Sequence, residues 1–547
     1  MDPYEVFKKL TAGAKFDYGR FRKDAEQLKI LRPKVESEPK EVKPEVKASL
    51  SKMDKPSRIR FENQIHVSGT DIPCPFDTFE AAEKSLDKRI IGAMKQTFNF
   101  QAPTPIQMQS WSIMAAGREI MACAPTGSGK TVAFMAPVID SIIKMKKEEP
   151  SVKAIRSLIL APTRELAKQI YGEGLRLSEG TGVRITYLQK VTANDAWAKK
   201  MAKNCDCLVT TPNRLIFLLQ QEPPLISLSH VRWLVVDECD RLFETDNEQQ
   251  NYHQQQNSSK KKQSIQKRAL QSFRDQLGII FGACDGNKLR RALFSATFSS
   301  DVEEWCLLNL DNAVQAYVGA KNTAAEKIKQ ELVFCGDEHG KLIALRNKIH
   351  ENFEPPMLVF VQSKERAKEL FAELVYDGIN VETIHSDRTQ QQRENIVQAF
   401  REGKIWVLIC TELMGRGIDF KGVRCVVNYD LPTSPIAYIH RVGRTGRMGR
   451  AGHAITYFTK VDAPFVKGIA NVLVESGCEV PEFFLKMGEQ QNLDFRTKEE
   501  RERAKKRAIK KGNSSKKKAK KPKMNVPERE TIRTLPQEDL TRIRKKK

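Results

Sequence analysis

The chain contains 547 residues, carries a formal net charge of +24 and has an isoelectric point of about 9.5. This length is enough for two or more domains with substantial cores, and the positive charge favours polyanionic partners. No apolar run is long enough to span a membrane, and the N-terminus lacks the apolar stretch of a secretory signal, so we expect no membrane partner. The eleven cysteines show no zinc-ligand spacing and are expected to be reduced thiols of an intracellular protein.

Two blocks of alternating apolar runs and helix-like stretches predict the domain organisation. The first block spans residues 71–318 and the second spans 332–488, with a linker at 319–331 between them. Short apolar strands separated by amphipathic stretches favour parallel sheets that are covered by helices on both faces. The sequence therefore predicts an α/β fold with two tandem domains.

Three further segments are too polar to predict a packed structure. Residues 1–70 mix charged residues with prolines, which predicts a flexible N-terminal extension. A polar stretch near 245–265 predicts a surface insertion in the first domain. Residues 489–547 form a basic tail that we expect to be disordered and able to hold nucleic-acid phosphates.

The strongest chemical signal follows the apolar run that ends at Cys123. The sequence "APTGSGKT" lies there before a helix-like stretch, and a strand, a glycine-rich loop and a helix N-terminus together form a phosphate cradle. The glycines let backbone N–H groups converge on phosphate oxygens, the lysine supplies a cation to the β and γ phosphates, and the threonine hydroxyl can ligate Mg²⁺. The predicted nucleotide-binding residues are Ala124, Thr126, Gly127, Ser128, Gly129, Lys130 and Thr131.

Three carboxylates follow the buried strand that "VRWLVV" predicts. A phosphate-binding loop needs a carboxylate from a neighbouring strand to hold Mg²⁺ and a group that orients or deprotonates the attacking water. Asp237 lies at the end of the strand, as the first role requires, and Glu238 next to it suits the second. The alternative is a helix N-cap, which explains one acid but not all three, since Asp240 follows as well.

These motifs, in this order, resemble the DEAD-box RNA helicases of superfamily 2 over roughly residues 76–488. The resemblance implies two RecA-like domains and RNA-stimulated hydrolysis of ATP with Mg²⁺. "VVDECD" is similar to motif II, with Cys239 in place of the usual alanine. "FNFQAPTPIQ" looks like the Q motif, which implies that Gln107 hydrogen-bonds the adenine edge and Phe100 stacks on its face. Asn99 stands where the family has glycine.

The same resemblance assigns the residues that contact RNA and those that link the two domains. The implied RNA-binding residues are Thr163, Arg164, Thr211, Arg214, Ser363, Arg393 and Thr411. The implied catalytic residues are Lys130, Asp237, Glu238, His440, Arg444 and Arg447. Asp419 is expected to contact the ribose, and Asp240 is expected to couple nucleotide state to strand separation with Ser295 and Thr297 of "SAT". From the residues alone, the arginines of "YIHRVGRTGR" suit phosphate oxygens, although a surface RNA patch is the alternative.

The expected function is ATP-dependent separation of RNA duplexes or remodelling of RNA–protein complexes. Residues 7–17, "TTPNRL" and the polar insertion resemble the nucleolar branch that matures small-subunit ribosomal RNA. That resemblance implies precursor ribosomal RNA and pre-ribosomal particles as partners, a nuclear and nucleolar location, and a monomeric core. The spelling "DECD" also occurs in the messenger-RNA splicing and export branch, which is the alternative process. An ATP-gated RNA clamp and a DNA-translocating helicase are the alternatives of other classes.

Overall fold

The computed structural model describes most of two α/β domains. The described residues are 53–188, 200–243, 273–284, 286, 288–319, 321, 328–351, 353–411, 420, 422–446 and 451–486. The predicted insertion near 245–265, the predicted tail at 489–547, and the site residues Asp419 and Arg447 lie outside them. Within the described part of the chain, no helix has the length and apolar content needed to cross a membrane.

The first domain is built on an eight-stranded sheet. Its described strands are β1 Ile65–Ser68, β2 Ile120–Cys123, β3 Ser157–Leu160, β4 Ile185–Tyr187, β5 Cys207–Thr210, β6 Trp233–Asp237, β7 Arg290–Ser295 and β8 Val314–Val318. Its described helices are α1 Lys55–Glu62, α2 Phe79–Ala82, α3 Lys88–Gln96, α4 Pro105–Ala115, α5 Lys130–Glu148, α6 Arg164–Leu177, α7 Pro212–Leu219, a 3-10 helix Cys239–Phe243, α8 Phe273–Ala283 and α9 Ser300–Asn309. The strand order is β1-β8-β2-β7-β6-β3-β5-β4; β1 pairs antiparallel with β8, and the other neighbours pair parallel.

The second domain is built on a six-stranded parallel sheet in the order β11-β12-β10-β13-β14-β9. Its strands are β9 Ile328–Phe334, β10 Met357–Val361, β11 Val381–Ile384, β12 Val407–Thr411, β13 Cys425–Asn428 and β14 Gly452–Phe458. Its described helices are α10 Glu338–Glu351, α11 Lys364–Tyr376, α12 Gln390–Arg401, α13 Pro435–Val442, α14 Ala463–Glu475 and α15 Glu482–Lys486. The predicted fold class, two tandem domains with parallel sheets and flanking helices, is confirmed.

The central strands are apolar along their whole length because both of their faces are covered. In β3, Leu158 and Leu160 enter one core cluster while Ile159 enters the cluster on the opposite face of the sheet. Side chains alternate faces along a strand, so a run of three aliphatic residues feeds both cores at once. This packing explains why the apolar runs in the sequence located the strands.

Two predicted boundaries are wrong. Residues 53–70 are not part of the extension, because they contain α1 and β1, and β1 pairs with β8 through Ile65 and Val318. Ile59 and Ile65 are buried in a small cluster with Met108, and such isolated apolar residues are obscured by the charges around them. The linker ends earlier than 331, because the edge strand β9 begins at Ile328 and pairs with β14.

A buried carboxylate stabilises the first sheet at the amino ends of strands β4 and β5. Asp206 precedes β5 and is fully buried. It accepts hydrogen bonds from the Arg184 guanidinium at 2.8 Å and from Lys146 Nζ at 3.0 Å. Burial alone would raise the pKa of Asp206, but the hydrogen bonds from Arg184 and Lys146 outweigh it and lower the pKa. Asp206 thereby ties β4, β5 and α5 together.

We expect Asp206→Asn to lower the free energy of unfolding of the first domain by about 2 kcal/mol at pH 7. This is below the cost for a fully buried pair, because the two hydrogen-bonding partners, Arg184 and Lys146, are partly exposed, while the buried Arg156 lies farther away at 3.7 Å. Since the folded pKa lies below the unfolded value, the ionised carboxylate stabilises the fold above that value. This contribution is lost as the pH falls through the folded pKa. Denaturant unfolding at pH 7 and pH 3 measures the free energy of unfolding of wild type and variant. The difference between the two proteins should be smaller at pH 3 than at pH 7.

The matched control is Glu62→Gln, which removes the exposed i,i+4 partner of Arg58. Exposed pairs of this kind contribute only a few tenths of a kcal/mol, so this change should be nearly neutral. An equal loss for both variants, or a gap that widens in acid, would contradict the assigned role of Asp206.

Candidate functional site: a nucleotide cradle between two domains

The loop that connects β2 to α5 is shaped to hold an anion. Gly127 and Gly129 have φ values of +79° and +89°, in the left-handed region that glycine adopts without steric cost. The chain then enters α5 at Lys130, and the helix runs for 19 residues. The loop therefore lies at the N-terminal end of a long helix, where free N–H groups and the helix dipole favour phosphate.

Lys130 lies inside this loop. Its Nζ donates hydrogen bonds to the carbonyl oxygens of Ala124 at 2.6 Å and Pro125 at 3.0 Å. Burial lowers the pKa of Lys130, and attraction to the Asp237 carboxylate opposes that change. The ammonium thus sits between the loop and the acidic residues after β6, where it can meet phosphate oxygens.

Gln107 joins the predicted base-binding segment to the phosphate loop. Its side chain is fully buried; Oε1 accepts from the backbone N–H of Thr104 at 3.0 Å, and Nε2 donates to the carbonyl of Gly129 at 3.2 Å. A Cβ atom at position 129 would lie 2.5 Å from Gln107 Nε2, so the close approach requires glycine. The amide retains a second N–H and a second lone pair, through which it can still meet a base.

The preceding turn explains the asparagine in the Q-like motif. Asn99 has a φ of +54°, and asparagine is one of the residues that tolerate this left-handed conformation best. Asn99 therefore stands at a left-handed turn position, where the family has glycine. Phe100 follows it and lies half-buried against the core, with its ring 5.4 Å from that of Phe98.

The predicted acidic pair lies at the carboxyl end of β6. Asp237 ends the strand, and Glu238 adopts a φ of +50°, which a residue with a side chain rarely does. The backbone N–H of Glu238 donates to Asp237 Oδ1 at 3.0 Å. Strained residues of this kind occur frequently in active sites.

The electrostatics of this pair favour binding of a cation. Burial and repulsion from Glu238 raise the pKa of Asp237 to about 7, against the opposing attraction of Lys130. A buried acid of this kind remains ionised at neutral pH when a cation is bound beside it. The site thus carries negative charge that its one nearby lysine does not fully balance.

The donor set fits Mg²⁺. No group of three or more His, Cys, Asp or Glu side chains in the described ranges is placed to enclose a metal ion. Mg²⁺ does not require such a group, because it is usually held by one or two carboxylates together with substrate phosphates and waters. Asp237 and the hydroxyl of Thr131, the second residue of α5, supply donors of the required kind.

Asp240 connects the two domains. Its Oδ2 accepts hydrogen bonds from Thr297 Oγ1 at 2.7 Å and from His440 Nε2 at 2.5 Å. Burial would raise the pKa of Asp240, but attraction to His440 and hydrogen bonds from His440, Thr297 and Ser295 hold the pKa below its usual value. The four predicted coupling and catalytic side chains are therefore brought together, with His440 from the second domain and the other three from the first.

A second cross-domain contact lies at the phosphate loop itself. Thr126 Oγ1 donates a hydrogen bond to the carbonyl of Gly443 at 2.8 Å. A Cβ atom at position 443 would lie only 2.0 Å from that hydroxyl, so this approach of the two domains requires glycine. The next residue, Arg444, is buried, and its Nε donates to the carbonyl of His440 at 3.0 Å. The structure thus places Arg444 beside the phosphate loop.

Three of the four predicted RNA-contacting hydroxyls begin helices at the carboxyl ends of strands. Thr163 caps α6 after β3, Thr211 is the N-cap of α7 after β5, and Ser363 caps α11 after β10. Thr411 is the last residue of β12. Helix N-termini bind phosphates, so each domain presents sites suited to an RNA backbone at the same edge of its sheet.

The predicted RNA-contacting arginines differ in their surroundings. Arg164 is exposed. Arg214 donates to the carbonyl of Leu188 at 2.5 Å. Arg393 forms an ion pair with Glu165 of the first domain at 2.8 Å. Arg393 therefore links the two domains in this structure.

Two residues of α6 that pair with the second domain, an acid and a lysine, were not predicted from the sequence. Glu165 pairs with Arg393, and Lys168 pairs with Glu394 at 2.8 Å. Both α6 residues lie within two turns of Thr163, beside the predicted RNA-contacting segment. No local pattern marks such partners, because they meet only when α6 and α12 face each other.

Comparisons with known proteins agree with this geometry. Residues 104–305 match the family described as "DEAD/DEAH box helicase", and residues 340–449 match "Helicase conserved C-terminal domain". A mouse (Mus musculus) protein named "Probable ATP-dependent RNA helicase DDX52" is 49% identical over 433 residues, which cover 79% of this chain and 68% of that protein. "ATP-dependent RNA helicase ROK1" of Scheffersomyces stipitis is 41% identical over 426 residues, with 77% and 71% covered.

A solved structure shows the same two-domain architecture. A variant of Dbp5 from S. cerevisiae, bound to RNA and ADP BeF3, matches 76% of this chain and 98% of its own with a TM-score of 0.60 and 25% identity. The motifs predict the DEAD-box family. The fold, the phosphate loop after β2 and the acidic pair at the end of β6 agree with that prediction, and so do the two relatives, which are 49% and 41% identical. This chain belongs to the DEAD-box ATP-dependent RNA helicases.

Proposed function

We propose that the cradle between the two domains hydrolyses ATP with the residue roles predicted from the motifs, and that Mg²⁺ is its metal. The observation that carries this proposal is the position of Asp240, whose carboxylate bonds to Thr297 in one domain and to His440 in the other. Asp240 lies three residues beyond Asp237, so a change at the nucleotide reaches both domains through one short segment.

The chain's own groups divide the work of the reaction. Lys130 neutralises charge on the β and γ phosphates, and Glu238 accepts a proton from the attacking water. Mg²⁺, held by Asp237 and Thr131, would offset the negative charge of the phosphates when bound. Arg444, and Arg447 beyond the described residues, stabilise charge that develops on the transferred phosphoryl group.

RNA binding and hydrolysis are linked because each domain holds half of both sites. The RNA-facing helix ends belong to α6 and α7 in the first domain and to α11 in the second. Closure of the domains aligns these ends along one strand and at the same time brings α13 against the phosphate loop. Contacts with the backbone alone favour little sequence selectivity, so the chain would separate or remodel RNA locally without reading bases.

A duplex-release assay tests this activity directly. RNA and DNA duplexes with single-stranded overhangs are incubated with the full chain, with and without ATP. We expect ATP-dependent release of the RNA duplex. ATP-dependent retention of RNA without release would favour a clamp, and equal release of DNA would favour a translocating helicase.

We further propose that the chain acts in the maturation of small-subunit ribosomal RNA in the nucleolus, on precursor RNA and pre-ribosomal particles. The motif and insertion resemblance to that branch and the basic tail at 489–547 support this proposal. Both halves of the site come from one chain, which supports a monomeric core. Crosslinking of the tagged chain to RNA in cells should recover small-subunit precursor RNA, whereas messenger RNA or spliceosomal RNA would favour the alternative process.

The first prediction on the site concerns Lys130→Ala. Loss of a charge partner of the transition state commonly lowers the rate by about 10²- to 10³-fold, so we expect ATP hydrolysis to fall by that factor. Lys147→Ala, in the last turn of the same helix, is the matched control and should leave the rate unchanged. Near-normal hydrolysis by the Lys130 variant at saturating RNA would contradict the proposed role of the loop.

The second prediction concerns Glu238→Gln, which keeps the shape of the side chain but removes the base. ATP should still bind and close the domains on RNA, while hydrolysis stalls. The variant should therefore retain RNA longer than wild type when ATP is present, and equally long when ATP is omitted. Dissociation rates of a labelled single strand measure this difference, and unchanged retention with ATP would remove Glu238 from the water-activating role.

The third prediction concerns Gly443→Ala, whose added Cβ would meet Thr126 Oγ1 in the closed arrangement. Overpacking costs about 1–3 kcal/mol, which corresponds to a fall of about 5- to 160-fold in the RNA-stimulated rate. Thr126→Ala removes the clashing hydroxyl, so Gly443→Ala should lower the rate less in a Thr126→Ala background than in wild type, and this comparison separates the clash from the loss of the hydroxyl itself. Gly92→Ala, where a Cβ meets nothing within 4 Å, is the control. An equal fall in both backgrounds would show that this contact does not limit closure.

A further inference from the structure

An arginine outside all of the recognised motifs contacts the base-binding segment. Arg176 lies in the last turn of α6, and its guanidinium carbon is 4.0 Å from the centroid of the Phe98 ring. The same guanidinium donates a hydrogen bond to the carbonyl of Thr97 at 2.9 Å. At this distance the cation lies on the face of the ring, well within the range of a cation–π interaction.

Phe98 in turn contacts the ring that is expected to stack on adenine. The centroids of Phe98 and Phe100 are 5.4 Å apart, and their planes are inclined at 38°. The two residues flank Asn99, whose left-handed backbone makes a tight turn. The backbone N–H of Phe98 bonds to Ala93, and that of Phe100 bonds to Met94, so both residues are attached to the end of α3.

These backbone hydrogen bonds hold the turn, so the orientation of the two rings depends on side-chain packing. The turn between α3 and α4 has no sheet partner, and both rings are only partly buried against the core. A half-buried ring at such a turn has rotational freedom that a facing cation and a neighbouring ring reduce. The Arg176 guanidinium donates a hydrogen bond to the carbonyl of Thr97 and also covers the Phe98 ring. One planar group therefore restrains the backbone of the turn and the ring together.

We propose that Arg176 is a positioning residue for the adenine base. It holds Phe98, and through Phe98 it holds Phe100 in the orientation that stacks on the base. This inference rests on the proposed role of Phe100 and extends the base-binding site by two residues, Phe98 and Arg176. In this assignment Arg176 acts through the aromatic pair.

The expected effect is on the affinity for ATP, not on the chemical step. Arg176→Ala should raise the KM for ATP by about 3- to 10-fold, in line with a partial loss of base–aromatic stacking, and should leave kcat at saturating RNA within about twofold. Arg176→Lys keeps a cation for the ring and should recover part of the loss. Phe98→Leu should match Arg176→Ala, and the double variant should be no worse than either, because the two side chains act as one unit.

A competitor without a base separates positioning of the base from general support of the fold. Inorganic tripolyphosphate binds the phosphate loop but offers nothing to Phe100. Its inhibition constant should therefore be the same for wild type and for Arg176→Ala. Arg89→Ala is the matched control, because Arg89 also bridges α3 to the end of α6, through the carbonyl of Gly180 at 3.2 Å, without contacting an aromatic ring in that bridge. Arg89→Ala should change neither the KM for ATP nor the inhibition constant of tripolyphosphate.

Direct binding of ATP, measured calorimetrically without turnover, keeps the inference independent of the proposed catalytic roles. A larger dissociation constant for ATP, together with an unchanged dissociation constant for tripolyphosphate, supports the inference even if the residues assigned to hydrolysis prove wrong. Equal weakening for both ligands would assign Arg176 to the fold alone and overturn it. Unchanged binding of ATP in both Arg176→Ala and Phe98→Leu would overturn it as well.

Discussion

The geometry of the whole site depends on one buried carboxylate that is shared by two domains. Asp240 has no solvent to stabilise its charge, so it is held by Thr297 and His440. A buried charge is tolerated only when it is paired, and here half of the pairing belongs to the other domain. Separation of the domains would remove His440 and leave the carboxylate short of a partner. Because water can solvate the carboxylate once the domains separate, this pairing fixes how the closed domains fit together and is not by itself a driving force for closure.

The nucleotide side of the site has the opposite electrostatic character. Burial, followed by repulsion from the adjacent Glu238, raises the pKa of Asp237, and Lys130 compensates only in part. This half of the site is stabilised by what binds to it, whereas the Asp240 network is stabilised by the protein itself. Asp237 ends β6 and Asp240 lies three residues further on, in the 3-10 helix, so binding of a ligand and closure of the domains act on one short stretch of chain.

Local sequence predicted the parts of the site that one segment builds, and the family resemblance implied His440 as a partner of the Asp240 network, but other contacts between the domains were missed. The phosphate loop, the acidic pair and the helix caps are each encoded within a few residues, and the structure places them where the motifs indicated. The ion pair of Glu165 with Arg393 joins residues more than 200 positions apart and has no local signal. The same reason applies to the boundaries: Ile65 and Ile328 begin edge strands whose partners lie far away in sequence, so composition assigned them to an extension and a linker.

Helix α6 shows how one rigid element can serve both substrates. Its first residues follow the N-cap Thr163, at the edge expected to hold RNA, and carry Glu165 and Lys168, which pair with the second domain. Its last turn carries Arg176, which covers Phe98 in the base-binding segment. A helix of 14 residues transmits a displacement at one end to the other with little loss, because its backbone hydrogen bonds resist bending. RNA that shifts the start of α6, or closure that engages its ion pairs, would therefore also move the support of the adenine-stacking ring. This connection through α6 is separate from the Asp240 network, and its ion pairs join the helix to the second domain.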